Sequence, residues 1–324
     1  MRAIVYAKFG DPESVLQPGE RPVPEPRPGQ VRVRMRRSVI HNHDLWTIRG
    51  TYGQRPSLPA VGGSEAAGVV EALGEGVTNL AVGQRVTGFA TGGAWAESFV
   101  TSAAGALPLP DAISDDVGCQ LVAMPLSALA LVDHYRVGEG EWLVQNAANG
   151  AVGKTLAVVT KARGVRVIHL VRGEAGRREL AAAGVDDAIS TAEPDWQAQV
   201  RARVGQGAIK YGFDSIGGRA SGELLSLLAP GGTLVAFGSM SGEPMAIDAG
   251  ELIFRQTKVE GFWLSKHPLG PEKAAGMVQE LVRLVSSKAL ELPVAGVFPL
   301  DQPAQAVAAS LRAGKQGKVL FDGA

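Results

Sequence analysis

Apolar and basic residues alternate along Val31–Met35, a period of two that predicts a half-buried strand. Gly62–Leu73, Val82–Phe89 and Trp95–Val100 are short apolar runs parted by glycine turns, the pattern of a small barrel. The proline-dense stretch Pro18–Pro28 predicts a connector, and Asp44–Arg49 a short helix closed by Gly50. The style changes at Ser114–Leu131, where Ala- and Leu-rich helical sequence begins. Beyond it, strands are predicted at Trp142–Gln145, Val165–Val171, Ala188–Ser190, Tyr211–Asp214, Thr233–Phe237 and Lys258–Phe262. Helices at Val152–Arg163, Gly176–Ala183 and Ala220–Leu228 fall between them. That alternation predicts an α/β domain, a doubly wound parallel sheet with helices on both faces. A helix at Pro271–Val285 and a closing strand at Lys318–Phe321 follow.

A chain of 324 residues exceeds what one core of usual size holds, which predicts two domains. Lys+Arg and Asp+Glu both number 32, so no global field attracts nucleic acid or an anionic membrane. The arginines of Arg32–Arg37 alternate with apolar residues and read as the solvated face of a strand. The single cysteine, Cys119, excludes an intramolecular disulfide and a cysteine cluster for structural zinc. No apolar run approaches the roughly 20 residues of a membrane span. The first residues read as strand, without a signal-peptide pattern, and a cytoplasmic enzyme acting on a small molecule is the expectation.

The segment Trp142–Gly153 reads as buried strand, tight turn and helix start. Gly150 lets the backbone approach a pyrophosphate, and Gly153 permits close packing of helix on strand. The free N–H groups and positive dipole end of the helix then face the phosphates. Ala148 replaces the first glycine of G-x-G-x-x-G, so the turn could also be a plain βα connection. An NAD site carries Asp or Glu about 20 residues on. Here that strand ends in Arg172, suited to a 2′-phosphate, which favours NADPH, although Glu174 is near. Arg177 and Arg178 are as well explained as surface charges.

Gly-Gly-Ser-Glu-Ala-Ala-Gly-Val-Val at 62–70 and Val-Gly-Gln-Arg-Val at 82–86 resemble the medium-chain dehydrogenase/reductase superfamily. Gln-Asn-Ala-Ala-Asn-Gly-Ala-Val-Gly at 145–153, Phe-Gly-Ser-Met at 237–240 and Phe-Trp-Leu-Ser at 262–265 resemble its zinc-free 2-enoyl thioester reductases, with quinone oxidoreductases next. The resemblance implies a GroES-like β-barrel catalytic domain at 1–117 and 263–324, and a Rossmann dinucleotide-binding domain at 118–262. It puts the proton donor at Tyr52, within Arg49–Pro56. It also implies that Asn149, Gly150, Ala151 and Val152 hold the pyrophosphate and Arg172 the 2′-phosphate, with Gly153 completing the cofactor-binding turn. Phe237, Gly238, Ser239 and Met240, with Phe262, Trp263 and Leu264, would line the nicotinamide, and Lys318 would reach the cofactor. A lysine opening an edge strand is otherwise commonly just solvated. A homodimer pairing strands near Thr257–Phe262 is also implied.

Three positions depart from that pattern. Met124 precedes Pro125 where the thioester reductases carry Asn; Arg172-Gly173-Glu174 replaces their Arg-x-Arg; and His41-Asn42-His43-Asp44 replaces Asn-Pro-Ser-Asp. Zinc-dependent members place a cysteine ligand where His41 falls and use Gly-His-Glu, whereas this chain has Gly63-Ser64-Glu65. No metal is expected; His41 and His43 are where one would be sought. A zinc-free site suits a conjugated acceptor, whose negative charge delocalises onto a carbonyl oxygen. Tyr52 then donates a proton to the α-carbon; from residue type alone it would read as a surface turn tyrosine. Trp46, Trp95 and Trp263 suit either a substrate wall or core packing. Three functions stay open: an NADPH-dependent reductase of α,β-unsaturated carbonyl compounds such as enoyl thioesters or enones, an NADPH:quinone oxidoreductase, and a non-catalytic NADPH-binding protein.

Overall fold

A computed structural model describes residues 1–324 apart from Pro268. The chain folds as two compact units, 1–123 with 291–324, and 124–290. The boundary therefore falls a few residues after the expected 117, and residues 263–290 join the second unit instead of the barrel. The reason is the amphipathic helix at Pro271–Ser286, whose Leu281 and Met277 are buried and whose Glu280 pairs with Arg163 of the second unit.

Along the first unit run β1 (Arg2–Tyr6), α1 (Pro12–Val15), β2 (Gln17–Glu20), β3 (Gln30–Val39) and α2 (Asn42–Arg49). Then come β4 (Ala60–Val61), β5 (Glu65–Leu73), β6 (Arg85–Phe89), β7 (Ser98–Ser102), β8 (Leu107–Pro108) and α3 (Asp115–Gly118). The second unit continues with α4 (Ala123–Tyr135), β9 (Trp142–Gln145), α5 (Ala151–Ala162), β10 (Arg166–Val171) and α6 (Glu174–Ala182). It proceeds through β11 (Ile189–Ser190), α7 (Trp196–Val204), β12 (Ile209–Asp214), α8 (Arg219–Leu227) and β13 (Thr233–Ala236). It ends with α9 (Ala249–Phe254), β14 (Lys258–Gly261) and α10 (Pro271–Ser286). The chain then returns to the first unit as β15 (Val294–Pro299), α11 (Pro303–Leu311) and β16 (Lys318–Asp322).

In the first unit a seven-stranded sheet runs β15-β16-β3-β5-β6-β8, with β7 also paired to β3, beside a three-stranded sheet β2-β1-β4. Within the predicted connector, residues 17–20 pair as a strand with β1. Pro18 is tolerated there because β2 is an outer strand, where a missing N–H breaks no ladder. The predicted strand Gly62–Leu73 divides because Gly62 and Gly63 lie flat against the Trp95 indole, where no side chain fits. Trp95 is fully buried, 5.0 Å from the Phe321 ring, and its indole N–H donates to Val39 O at 3.2 Å. It is core, not a substrate wall. Strand β16 lies inside the sheet between β15 and β3, so Lys318 does not open an edge strand.

The second unit holds one six-stranded sheet, β11-β10-β9-β12-β13-β14, all of whose pairings are parallel. Strand order reverses at β9: β10 lies on one side and β12 on the other. In such sheets a crevice opens beyond the carboxyl ends of the two strands where the order switches. Helices α7, α9 and α11 and strand β15 lie outside the elements that the hydrophobic pattern predicts.

Candidate functional site

Two clusters of candidate residues form, one in each unit. In the second unit, Asn149–Gly153, Arg172, Phe237–Met240 and Phe262–Leu264 all follow the carboxyl ends of parallel strands, β9, β10, β13 and β14. The turn after β9 ends at Gly150, which caps α5 in an extended conformation, φ −74° and ψ 168°. A Cβ on Gly153 would lie 2.5 Å from Ala148 O, so helix and turn touch backbone to backbone. Ala148 itself is buried and donates its N–H to Leu170 O at 3.0 Å. Ala147, the residue before it, is in the left-handed region at φ 45°.

Beside it, Asn149 Nδ2 donates to Glu179 Oε2 at 2.9 Å, and Lys154 Nζ to Glu179 Oε1 at 2.5 Å. Arg172 is exposed, and its guanidinium makes no hydrogen bond or ion pair among the described residues. Arg177, by contrast, is committed to Glu193 at 2.7 Å and Glu174 at 3.6 Å, and Arg178 lies 4.0 Å from Glu174. Two of those pairs occupy Glu174, two positions after Arg172. An uncommitted guanidinium at the end of the second strand is what a ribose 2′-phosphate requires.

Sequence reasoning missed the group that orders this edge. Asp214 ends β12, is fully buried, and its Oδ1 accepts from Asn146 Nδ2 at 2.6 Å, Ile216 N at 2.8 Å and Gly217 N at 3.1 Å. Its Oδ2 accepts from Ser221 Oγ at 2.5 Å, while Asn146 Oδ1 accepts from Ser215 N at 2.9 Å. The turns after β9 and β12, which flank the order reversal, are thus locked together. The signal was an acid closing a buried apolar strand, a charge that must find donors.

Phe237 N donates to Asp214 O and Met240 N to Ser215 O, at 2.9 and 3.0 Å, so the 237–240 loop lies on the turn after β12. Gly238 is pressed against the Ser215 backbone, where a Cβ would meet Ser215 O at 2.8 Å. Ser239 and Met240 are exposed; Phe262 is buried, 5.1 Å from the His267 ring and 6.1 Å from His134. Trp263 and Leu264 are half-buried.

The first unit holds the other cluster, around the N-terminus of α2. His41 caps that helix, its backbone N–H donating to Asp44 Oδ2 at 2.8 Å. Gly50 closes it in the left-handed conformation, φ 76°, and Tyr52 N returns to Trp46 O at 3.2 Å. That reversal lays the half-buried Tyr52 ring on His43, centroids 5.6 Å apart and planes at 27°. His43 stacks in turn on His41 at 4.9 Å and 20°, and its Nε2 meets Ser64 Oγ at 2.7 Å.

Beneath them His41 Nε2 and Glu65 Oε2 lie 2.8 Å apart, both side chains fully buried. Glu65 also accepts from Val122 N at 2.6 Å and Ala123 N at 3.0 Å. Burial pushes the Glu65 carboxyl up to about 8, against the two backbone N–H groups that favour its ionised form. Burial, helped by the nearby Lys318 and His43, holds the His41 imidazole neutral, well below its usual range. The half-buried Lys318 is brought down to about 8 by desolvation of its ammonium and by Lys315, with Asp44 and Glu65 opposing.

The donor set does not suit zinc. Ser64 stands where a histidine would be needed, and both Glu65 oxygens accept backbone N–H groups. Cys119 is buried, its thiol pushed well above the usual range by burial and then by Glu65 and Asp116. Among the described residues no group of three or more His, Cys, Asp or Glu could hold a metal ion. Nor is any described helix long and apolar enough to cross a membrane.

Residues 27–111 match the family model of the alcohol dehydrogenase GroES-like domain, and residues 151–286 that of zinc-binding dehydrogenase. The chain is 31% identical over 320 residues to the mitochondrial enoyl-[acyl-carrier-protein] reductases of Rattus norvegicus and Homo sapiens, covering 96% of this chain and 86% of each relative. Among solved structures, Escherichia coli quinone oxidoreductase complexed with NADPH superposes with a TM-score of 0.90 at 28% identity, covering 99% of this chain and 100% of that one.

Proposed function

The chain belongs to the medium-chain dehydrogenase/reductase superfamily, an oxidoreductase family, and on that premise we propose that it is a zinc-independent, NADPH-dependent reductase of α,β-unsaturated carbonyl compounds, 2-enoyl thioesters foremost. The observation that carries this reading is the Tyr52 cluster: a half-buried phenol laid on His43, whose Nε2 is held by Ser64 above the buried His41–Glu65 pair. Without a Lewis acid, an acceptor must carry its own developing charge, and a conjugated carbonyl does so.

The residues of the second unit fit the dinucleotide. The Gly150–Gly153 cradle presents helix N–H groups to a pyrophosphate, and Arg172 offers its free guanidinium to the 2′-phosphate. When bound, the nicotinamide supplies hydride to the β-carbon of the acceptor. Tyr52 then gives its proton to the α-carbon, and solvent restores it. Asp214 holds the turns of the cradle at fixed separation, and Lys318 adds positive charge beside Asp44 and Glu65.

Oxidation of NADPH would be followed with crotonyl thioester, an enone and a quinone, in the wild-type protein and in Tyr52→Phe. The reading requires turnover of the thioester and a loss of about 100-fold or more in Tyr52→Phe. Turnover of the quinone alone would favour the quinone reductase reading, to which the likeness to the Escherichia coli enzyme lends support. No NADPH consumption with any acceptor would leave a dinucleotide-binding protein without turnover. In Arg172→Ala, KM for NADPH should rise about tenfold or more with little change for NADH; equal effects would remove the 2′-phosphate assignment. We further propose a homodimer formed through β14, argued below.

A further inference from the structure

We propose that His43 is a positioning residue for the Tyr52 phenol, held by its bond to Ser64 in a three-ring stack that carries the order of the buried core out to the reacting hydroxyl. The inference rests on the reading of Tyr52 as proton donor. A tyrosine on a turn has two soft side-chain torsions, and a proton donor must be held near its target. The Tyr52 backbone is docked on Trp46 O, which fixes where the side chain starts but not where its ring points. The ring lies face to face on a neighbour that is itself held. His43 presents its face at 5.6 Å, and His43 cannot rotate without breaking the 2.7 Å contact from Nε2 to Ser64 Oγ. Behind it, at 4.9 Å, His41 is immobilised by Glu65, whose two oxygens are tied to Val122 and Ala123.

Each imidazole in the stack is thus anchored through its own Nε2, one to a buried carboxyl and one to a hydroxyl. Ser64 and His43 come from different elements, the residue before β5 and the first turn of α2, so the pair also sets the rim of the helix against the sheet. The groups facing His43 are His41, Asp44 at 3.6 Å, Ser64 and Tyr52, with Glu65 and Lys318 behind His41. In the proton step the phenol O–H bond breaks, the electron pair of the enolate forms the Cα–H bond, and the phenolate takes its proton from water. His43 donates nothing in this step; it keeps the hydroxyl aimed.

Steady-state kinetics with crotonyl thioester would compare His43→Ala, His43→Phe and Ser64→Ala, each alone and combined with Tyr52→Phe. Acting through Tyr52, His43→Ala should lower kcat about tenfold and leave KM for NADPH unchanged. His43→Phe keeps a ring for the stack and should recover part of that loss. In the Tyr52→Phe background the same changes should cost nothing further, because the group being aimed is gone. Equal losses in both backgrounds, or a fall in thermal stability with kcat intact, would overturn the proposal. A second reading needs no turnover: in the free protein, Tyr52→Leu should move the His43 ring-proton signals downfield as the shielding face is removed. Unmoved signals would show that the rings do not stack in solution and would also overturn it. If the wild-type protein reduces no acceptor while those signals do move, it is the reading of function that falls, and the stack stands.

Discussion

Glu65 holds its proton into the neutral range because burial penalises its charged form more than its neighbours favour it. The two backbone N–H groups at Val122 and Ala123 lower its affinity for the proton, but desolvation outweighs them. Folding is thereby linked to pH with a defined sign. The unfolded carboxyl ionises near 4.5 and the folded one near 8, so between those values the unfolded chain binds fewer protons and stability falls as pH rises. His41 acts oppositely below 6.5, because its folded imidazole stays neutral while the unfolded one protonates. Lys318, brought down to about 8 from 10.5, adds stability only above that window. From pH 6.5 to 8 the slope of this cluster therefore belongs to Glu65, a loss of about 2 kcal/mol. In Glu65→Gln urea unfolding should lose that slope, and at pH 6.5 stability should fall by about 1 kcal/mol, because the Ala123 N–H then faces an amide NH2. An unchanged slope would mean that Glu65 is ionised in the folded protein.

At the scale of elements, the sequence was informative where one periodicity ran unbroken. Strand β9 occupies its predicted residues, and α5 and β10 begin within a residue of theirs, because buried parallel strands and amphipathic helices alternate there without insertions. Legibility failed where pairing partners lie far away. Residues 17–20 read as loop until β1 supplies a ladder, and β16 read as an edge until β15 covers it. The same limit hid half of each site. The turn at Asn149–Gly153 was plain from local spacing, whereas the bond from Asn146 to Asp214 spans 68 positions and the pair of His43 with Ser64 spans 21. The helix–turn contact at Gly153 carries a direct test. Gly153→Ala would put a methyl group 2.5 Å from Ala148 O, and backbone on both sides leaves it no room. Stability should fall by about 1–3 kcal/mol and the Kd for NADPH should rise about tenfold or more, read by thermal unfolding and fluorescence titration. Ordinary affinity in that variant would show that the dinucleotide does not use this turn.

At the scale of the whole molecule, the six-stranded sheet ends at β14, all four of whose residues are exposed and whose outer row of backbone groups has no strand beside it. Natural sheets protect such edges with charge, proline or a covering element. Beside the charged Lys258 and Glu260 of β14, helix α9 adds apolar surface: Phe254 is 85% exposed, Ile253 59% and Leu252 38%, with Val259 of β14 at 37%. Exposed large apolar side chains grouped beside an open strand edge suit a surface that is covered. In the homodimer proposed above, the occupant is a second copy of β14. In an antiparallel register centred on Val259, Lys258 of one copy faces Glu260 of the other, so opposite charges meet at both ends of the pair. A two-fold axis at that pairing would put both α9 helices on the same side, where Phe254 and Ile253 would be covered. Light scattering should therefore give twice the chain mass for the wild-type protein and the single-chain mass for Phe254→Glu combined with Ile253→Glu. Val259→Lys discriminates the register itself, since it sets two ammonium groups against each other at the axis and should raise the dimer Kd steeply, more so at low salt. A dimer that survives both changes forms through some other face, and a wild-type protein that runs as a single chain removes the pairing altogether.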